Sequence, residues 1–191
     1  MRLLYISEGD IPSRFAHATQ AMDMAAALSK SVNDLSLVTA SSLWAKVKSV
    51  DVASYYGTDP MFRIVSVPVS WGRLPFSEEV KPERGASQQQ PSGTWKNRFV
   101  LASSMYAWLK RPDLIYTRCC RVARYATSLG LPVVVEYHGS GTDAARQLKR
   151  APLRKNLLAI VTVSDYIKAD FVSHGIPSEK VLVEPNGVDL A

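Results

Sequence analysis

Glu136 and His138 stand two residues apart at the end of the apolar run PVVVEYHG, and in an extended chain that spacing puts both side chains on one face. A carboxylate closing a buried apolar run is costly to desolvate, so Glu136 calls for a partner such as a backbone N–H, an arginine or a substrate hydroxyl. A structural glutamate capping a neighbouring helix answers the same demand. His138, taken alone, is more often a hydrogen-bonded structural histidine than a catalytic one. Its place at a strand's carboxyl end, before Gly139 and Gly141, favours a group that meets a ligand. Arg118 closes a second run, PDLIYTR, on the face of Leu114 and Tyr116; its guanidinium suits a phosphate or carboxylate, or a plain salt bridge to Asp113. Near the N-terminus, Gly9 permits close backbone approach, and a helix starting near His17 offers N–H groups to an anion. Gly9 stands without a GxGxxG or GxxxxGK[ST] pattern, and His17 also reads as a cap of its own helix. Gly139, and Asn186 in the turn EPNGVD, extend the candidate substrate-binding set.

The elements that must position these residues are short β-branched runs alternating with helical segments. Residues 3–7, 34–40, 62–69, 112–117, 132–137, 159–163 and 180–184 read as strands. Helices are expected over 17–30, 94–110 and 119–129, and in a segment opened by Ser164 as N-cap and closed by Gly175 and Pro177. Residues 41–55 are helical or irregular, and 71–93, with three prolines and no period, read as a mobile loop. In the helix 94–110 the expected core stripe is Phe99, Ala102, Met105, Tyr106 and Leu109. The rhythm implies an α/β fold: a Rossmann-like, doubly wound parallel sheet of about seven strands with helices on both faces. Ligands of such sheets bind at the carboxyl ends of the strands, where the candidates above are placed.

With 191 residues, 47% of them hydrophobic, one large domain with a real core is expected. The opening MRLLYISEGD has too short an apolar run for a secretory leader, and no stretch approaches a membrane span. Cys119 and Cys120 are adjacent, which offers neither metal-ligand spacing nor a redox CxxC, so a reduced cytoplasmic protein is expected. A net charge of +6 suits nucleic acid, an anionic membrane surface or a phosphorylated substrate. The charge is spread over the chain and forms no recognised nucleic-acid motif, so no nucleic-acid partner is expected. Residues 71–111 interleave Trp71, Trp95 and Trp108 with Arg73, Lys96 and Arg98. That mixture is either a core stripe with a solvated basic face or an interfacial segment in peripheral contact with the inner face of a membrane.

Taken in order, LLYISEGDIPS, PDLIYTR, EYHG, IVTVS, HGIPSEKV and PNGVD resemble the N-terminal domain of family 4 retaining glycosyltransferases with the GT-B fold, over all of the chain except 71–93. The resemblance implies that residues 1–185 form a domain binding a sugar or lipid-linked acceptor, and that 186–191 start a linker. A second Rossmann-like domain, binding the nucleotide-sugar donor, would follow, and a piece lacking it would be inactive alone. It implies no obligatorily bound cofactor or metal, with the nucleotide sugar as co-substrate. His138 matches the family histidine facing the donor sugar, and Glu136 the acidic position that supports it. Gly9 matches the loop approaching the donor diphosphate, while Ser13, Arg14, His17 and Arg118 fall where acceptor contacts are expected. This loop lacks the family's glycine pair, having Ser13 and residues 14–16 instead. The implied chemistry is electrostatic stabilisation of positive charge at the sugar during front-face departure and attack. The alternatives are a sugar-nucleotide epimerase of the same fold, or a non-catalytic binding module for nucleic acid or membrane.

Overall fold

The computed structural model describes residues 1–11, 16–42, 55–57, 61–70, 94–139, 141–148 and 153–185. Seven strands form one sheet: β1 (Arg2–Asp10), β2 (Asp34–Ser42), β3 (Arg63–Ser70), β4 (Leu114–Thr117), β5 (Val133–Tyr137), β6 (Leu157–Thr162) and β7 (Val181–Val183). Their spatial order is β3-β2-β1-β4-β5-β6-β7, and every neighbouring pair is parallel. The expected doubly wound parallel sheet is therefore present, with β1 central. After β1 the chain winds outward to β3, then returns to β4 on the other flank, so the order reverses between β1 and β4.

The run Leu3-Leu4-Tyr5-Ile6 is apolar throughout because β1 is covered on both faces, and alternation divides its side chains between two cores. Leu3 and Tyr5 join Leu35 and Leu37 under α1 (Ala16–Ser29), whose Ala18, Ala21 and Ala25 are small enough to bring the helix close to the sheet. Leu4 and Ile6 join Ile115, Val133 and Ile160 in the core on the opposite face. That face is covered by α2 (Thr94–Lys110), α3 (Cys120–Ser128), α4 (Gly141–Leu148) and α6 (Asp165–Ser173), with a single turn, α5 (Leu153–Asn156), leading into β6.

Three local expectations change. In α2 the expected Phe99 is buried and Ala102 and Tyr106 pack half-buried against the core, but Met105 and Leu109 lie exposed, and Trp95, Val100, Ser103, Ser104 and Ala107 complete the buried face, so the helix is rotated part way from the expected stripe. Ser103 makes this possible by donating to the Phe99 carbonyl at 2.6 Å, which satisfies its hydroxyl inside the helix. Residues 141–148, where no element is expected, form α4 and bury Ala144, Ala145 and Leu148. Asp113 is engaged by the Arg2 amide at 2.7 Å and its guanidinium at 3.7 Å, which excludes the salt bridge to Arg118. Ser164 does cap α6, accepting from the Ile167 amide, and Gly175 takes the positive φ of 84° that ends it. Ser41 and Ser42 extend β2; residues 43–54 and the loop 71–93 lie outside the described residues.

Candidate functional site

The site lies at the carboxyl ends of β1, β4 and β5, beside the reversal in strand order. Register places Tyr5 of β1 against Tyr116 of β4, and Tyr116 against Val134 of β5. Tyr5, Tyr116 and Val134 thus share one face, and Arg118 and Glu136, one alternation further along, and His138, two further, project from the same face at the strand ends. The turn after β4 is fixed by Thr117: its buried hydroxyl donates to the Ile6 carbonyl at 2.9 Å and accepts the Cys119 amide at 3.1 Å.

Glu136 is the hub. It is 6% exposed. Its Oε2 accepts from the Tyr116 hydroxyl at 3.0 Å, its Oε1 lies 2.5 Å from His138 Nε2, and Arg118 Nε stands 3.8 Å from the same oxygen. Arg118 makes two more contacts: one Nη donates to Gln20 Oε1 on α1 at 3.1 Å, and the other lies 3.3 Å from His138 Nδ1. A guanidinium has no acceptor, so His138 Nδ1 must present its lone pair to it. Nε2 therefore carries the proton and donates to Glu136, which makes His138 a neutral imidazole in one defined tautomer. One anion, one cation and a neutral ring satisfy one another at the end of an apolar sheet, the condition that burying a carboxylate demands.

The tyrosine hydroxyls are drawn into this field. Burial first, and then the negative charge of Glu136, push both Tyr5 and Tyr116 well above the ordinary tyrosine range, so both stay protonated. Their rings meet edge to face at 5.4 Å. The Tyr5 hydroxyl finds no partner of good hydrogen-bond geometry among the described residues, although the nearby Arg118 charge draws its pKa partly back down.

A family model described as Glycosyltransferase Family 4 matches residues 18–191. The chain belongs to glycosyltransferase family 4. No curated protein sequence matches it. Among solved structures, Anabaena Alr3699/HepE in complex with UDP and glucose is 14% identical with a TM-score of 0.57, over 99% of this chain and 45% of that one. UDP-GlcNAc 2-epimerase from Methanocaldococcus jannaschii is 13% identical with a TM-score of 0.57, over 96% and 45%. The lipopolysaccharide outer core galactosyltransferase WaaB is 12% identical with a TM-score of 0.54, over 100% and 47%. At such identities these likenesses carry the fold alone, and they identify it as the N-terminal half of a GT-B fold. The chain spans less than half the length of each of these structures.

In this family 4 domain, four of the predicted residues gather near the strand ends: Glu136, His138 and Arg118 in direct contact, and His17 close enough for the Arg118 charge to act on it. Burial, followed by that guanidinium, lowers the His17 pKa, against a smaller opposing pull from Glu8. Gly9 faces the same imidazole: a Cβ there would lie 2.6 Å from His17 Cδ2 and 2.8 Å from Nε2, so glycine at this point is what lets the ring sit on β1. Gly139 has a similar relation to Tyr137, whose hydroxyl would be 3.0 Å from an added Cβ. Ser13, Arg14 and Asn186 lie outside the described residues. Sequence reasoning missed Tyr5 and Gln20, and it placed Tyr116 beside Arg118 without linking it to Glu136. The signal for Tyr116 was present, since alternation puts it on the Arg118 face, whereas Tyr5 and Gln20 required the order of strands. Among the described residues no group of three or more His, Cys, Asp or Glu is placed to hold a metal ion, and no helix is long and apolar enough to cross a membrane.

Proposed function

We propose that this chain is the acceptor-binding half, residues 1–185, of a retaining glycosyltransferase that moves a hexosyl group from a nucleotide sugar to a sugar or lipid-linked acceptor. Residues 186–191 begin the linker to a nucleotide-sugar-binding domain. The observation that carries the reading is the Glu136–Arg118–His138 cluster, set at the strand ends of a family 4 domain. Coverage of less than half of each solved relative supports a facing domain, and UDP in the HepE complexes supports a nucleotide-sugar co-substrate.

On this reading His138 borders the donor sugar, and Glu136 acts as a positioning residue that holds the imidazole by Nε2–H and keeps Arg118 close. Arg118 and His17, with Ser13 and Arg14, are assigned to acceptor contacts, and Gly9, Gly139 and Asn186 to the remaining substrate contacts. The buried carboxylate adds negative charge near a sugar that becomes cationic as its leaving group departs, so its contribution is electrostatic.

The test is to give the full-length protein a panel of nucleotide sugars, with and without candidate acceptors, and to follow transferred sugar, free nucleotide and the identity of the released sugar. Acceptor-dependent transfer that falls at least tenfold in His138→Ala supports the proposal. An altered free sugar formed without acceptor would mark an epimerase instead, and His138→Ala at full activity would remove that residue from the site.

A further inference from the structure

We propose that the outward face of α2 docks the protein on the surface of an anionic membrane. Leu101, Met105, Trp108 and Leu109 follow one another at intervals that place them on one side of the helix, opposite its buried face. They are 57%, 52%, 43% and 67% exposed. Isolated exposed apolar residues are ordinary, but four on one helical face, where the core uses another, form a patch that water penalises.

The charge around the patch selects its partner. Arg98 lies on the same side one turn before Leu101, and Arg121 of α3 donates to Asn97 on α2. Adjacent α3 adds Arg124, stacked over the ring of exposed Tyr125 at 5.8 Å. Residues 94–135 hold seven Lys and Arg and a single acid, Asp113, which is already engaged by Arg2. An apolar stripe carrying a tryptophan and flanked by cations, with no acid on either helix, complements lipid acyl chains beneath anionic headgroups.

The Arg2 guanidinium donates to the Arg111 carbonyl at 3.0 Å, which puts the end of α2 at the amino edge of the sheet, so its start lies at the carboxyl edge with Glu136 and His138. With α2 lying flat on a bilayer, the strands run along the membrane plane, and the site lies at the carboxyl edge on the far face of the sheet. This inference stands on the helix surface and does not depend on the glycosyl-transfer reading.

The experiment is co-sedimentation of the full-length protein with vesicles of phosphatidylcholine alone or of equal parts phosphatidylcholine and phosphatidylglycerol, at low and high salt. Binding is expected only to the anionic vesicles, and weaker in salt. In Arg98→Gln/Arg124→Gln the partition coefficient should fall roughly thirtyfold, from about 1 kcal/mol per cation near an anionic surface. Leu101→Gln/Met105→Gln/Leu109→Gln should also lose binding, with an unchanged melting temperature and unchanged turnover on a water-soluble acceptor. Equal binding to both vesicle types, or none to anionic vesicles, overturns the proposal, and these outcomes use the unaltered protein. Self-association that the apolar variant abolishes, without vesicle binding, would instead assign the face to a second copy of the chain.

Discussion

Replacing Glu136 with glutamine keeps the shape of the hub and removes its charge. Two hydrogen bonds, from the Tyr116 hydroxyl and His138 Nε2–H, lose their charged acceptor, at about 1 kcal/mol each, the difference between charge-assisted and neutral hydrogen bonds. Arg118 loses its counter-ion 3.8 Å away, an attraction of roughly 4 kcal/mol at an effective dielectric of 20. The Arg118 side chain is 25% exposed, so water recovers part of that, and about 1 to 2 kcal/mol remains. We expect Glu136→Gln to destabilise the protein by about 3 kcal/mol in urea unfolding with an unchanged m value. Tyr116→Phe, which removes one hydrogen bond and leaves the ion pair, should cost about 1.5 kcal/mol. The double-mutant cycle of Glu136→Gln with Arg118→Met should show a coupling of at least 1 kcal/mol. A loss below about 1 kcal/mol for Glu136→Gln, or additivity within about 0.5 kcal/mol, would refute the account of Glu136 as the anchor of the cluster.

Three further outcomes follow from the site and its surroundings. Gly9→Ala should displace the His17 ring and cost about 1 to 3 kcal/mol by overpacking, and His17→Ala in the same chain should recover most of it, as thermal unfolding will show. Because the His17 pKa is lowered on folding, the unfolded chain binds the proton first as pH falls. Its contribution to stability is therefore complete above the ordinary value of 6.5 and is lost as the pH drops from there through the folded value; His17→Asn should flatten this part of the stability–pH curve. Burial pushes the thiols of Cys119 and Cys120 up to about 12, so iodoacetamide at neutral pH should leave both unmodified in the folded protein and alkylate both in denaturant; labelling without denaturant would contradict their placement.

The parallel sheet was readable because a strand buried on both faces must be apolar at every position, and β1, β5 and β6 meet that condition in a few residues each. The rotation of α2 was not, since its inner face carries Ser103 and Ser104 while Leu101, Met105 and Leu109 face outward. Hydropathy assigns such residues to the wrong sides: it counts Ser103 as polar although its hydroxyl is bonded within the helix, and Ser104 is buried with no hydrogen-bond partner for its hydroxyl among the described residues. The same rule hid α4, where Thr142, Asp143, Arg146 and Gln147 dominate the composition and only Ala144, Ala145 and Leu148 form the core face. In the site, alternation alone paired Glu136 with His138. Their third partner is a matter of topology: β4 adjoins β5, and β1 adjoins β4 through the reversal of strand order, so Arg118, Tyr116 and Tyr5 come from segments far apart in the chain.

That topology limits what each group can do. Glu136 reaches two hydrogen-bond donors and a guanidinium at once, which favours a held carboxylate over a free nucleophile. His138 has one nitrogen on Glu136 and the other on Arg118, so an incoming ligand meets the ring edge and main chain first. Arg118 is the member able to change partners: its side chain is a quarter exposed, and its links to Gln20 and His138 are ordinary hydrogen bonds. An anionic group arriving at the strand ends would compete for that guanidinium, and drawing it away would release the lone pair of His138 Nδ1. On the proposed reading the cluster would couple anion binding at Arg118 to the hydrogen-bonding capacity of His138, with Glu136 keeping the imidazole in place while its other neighbour leaves.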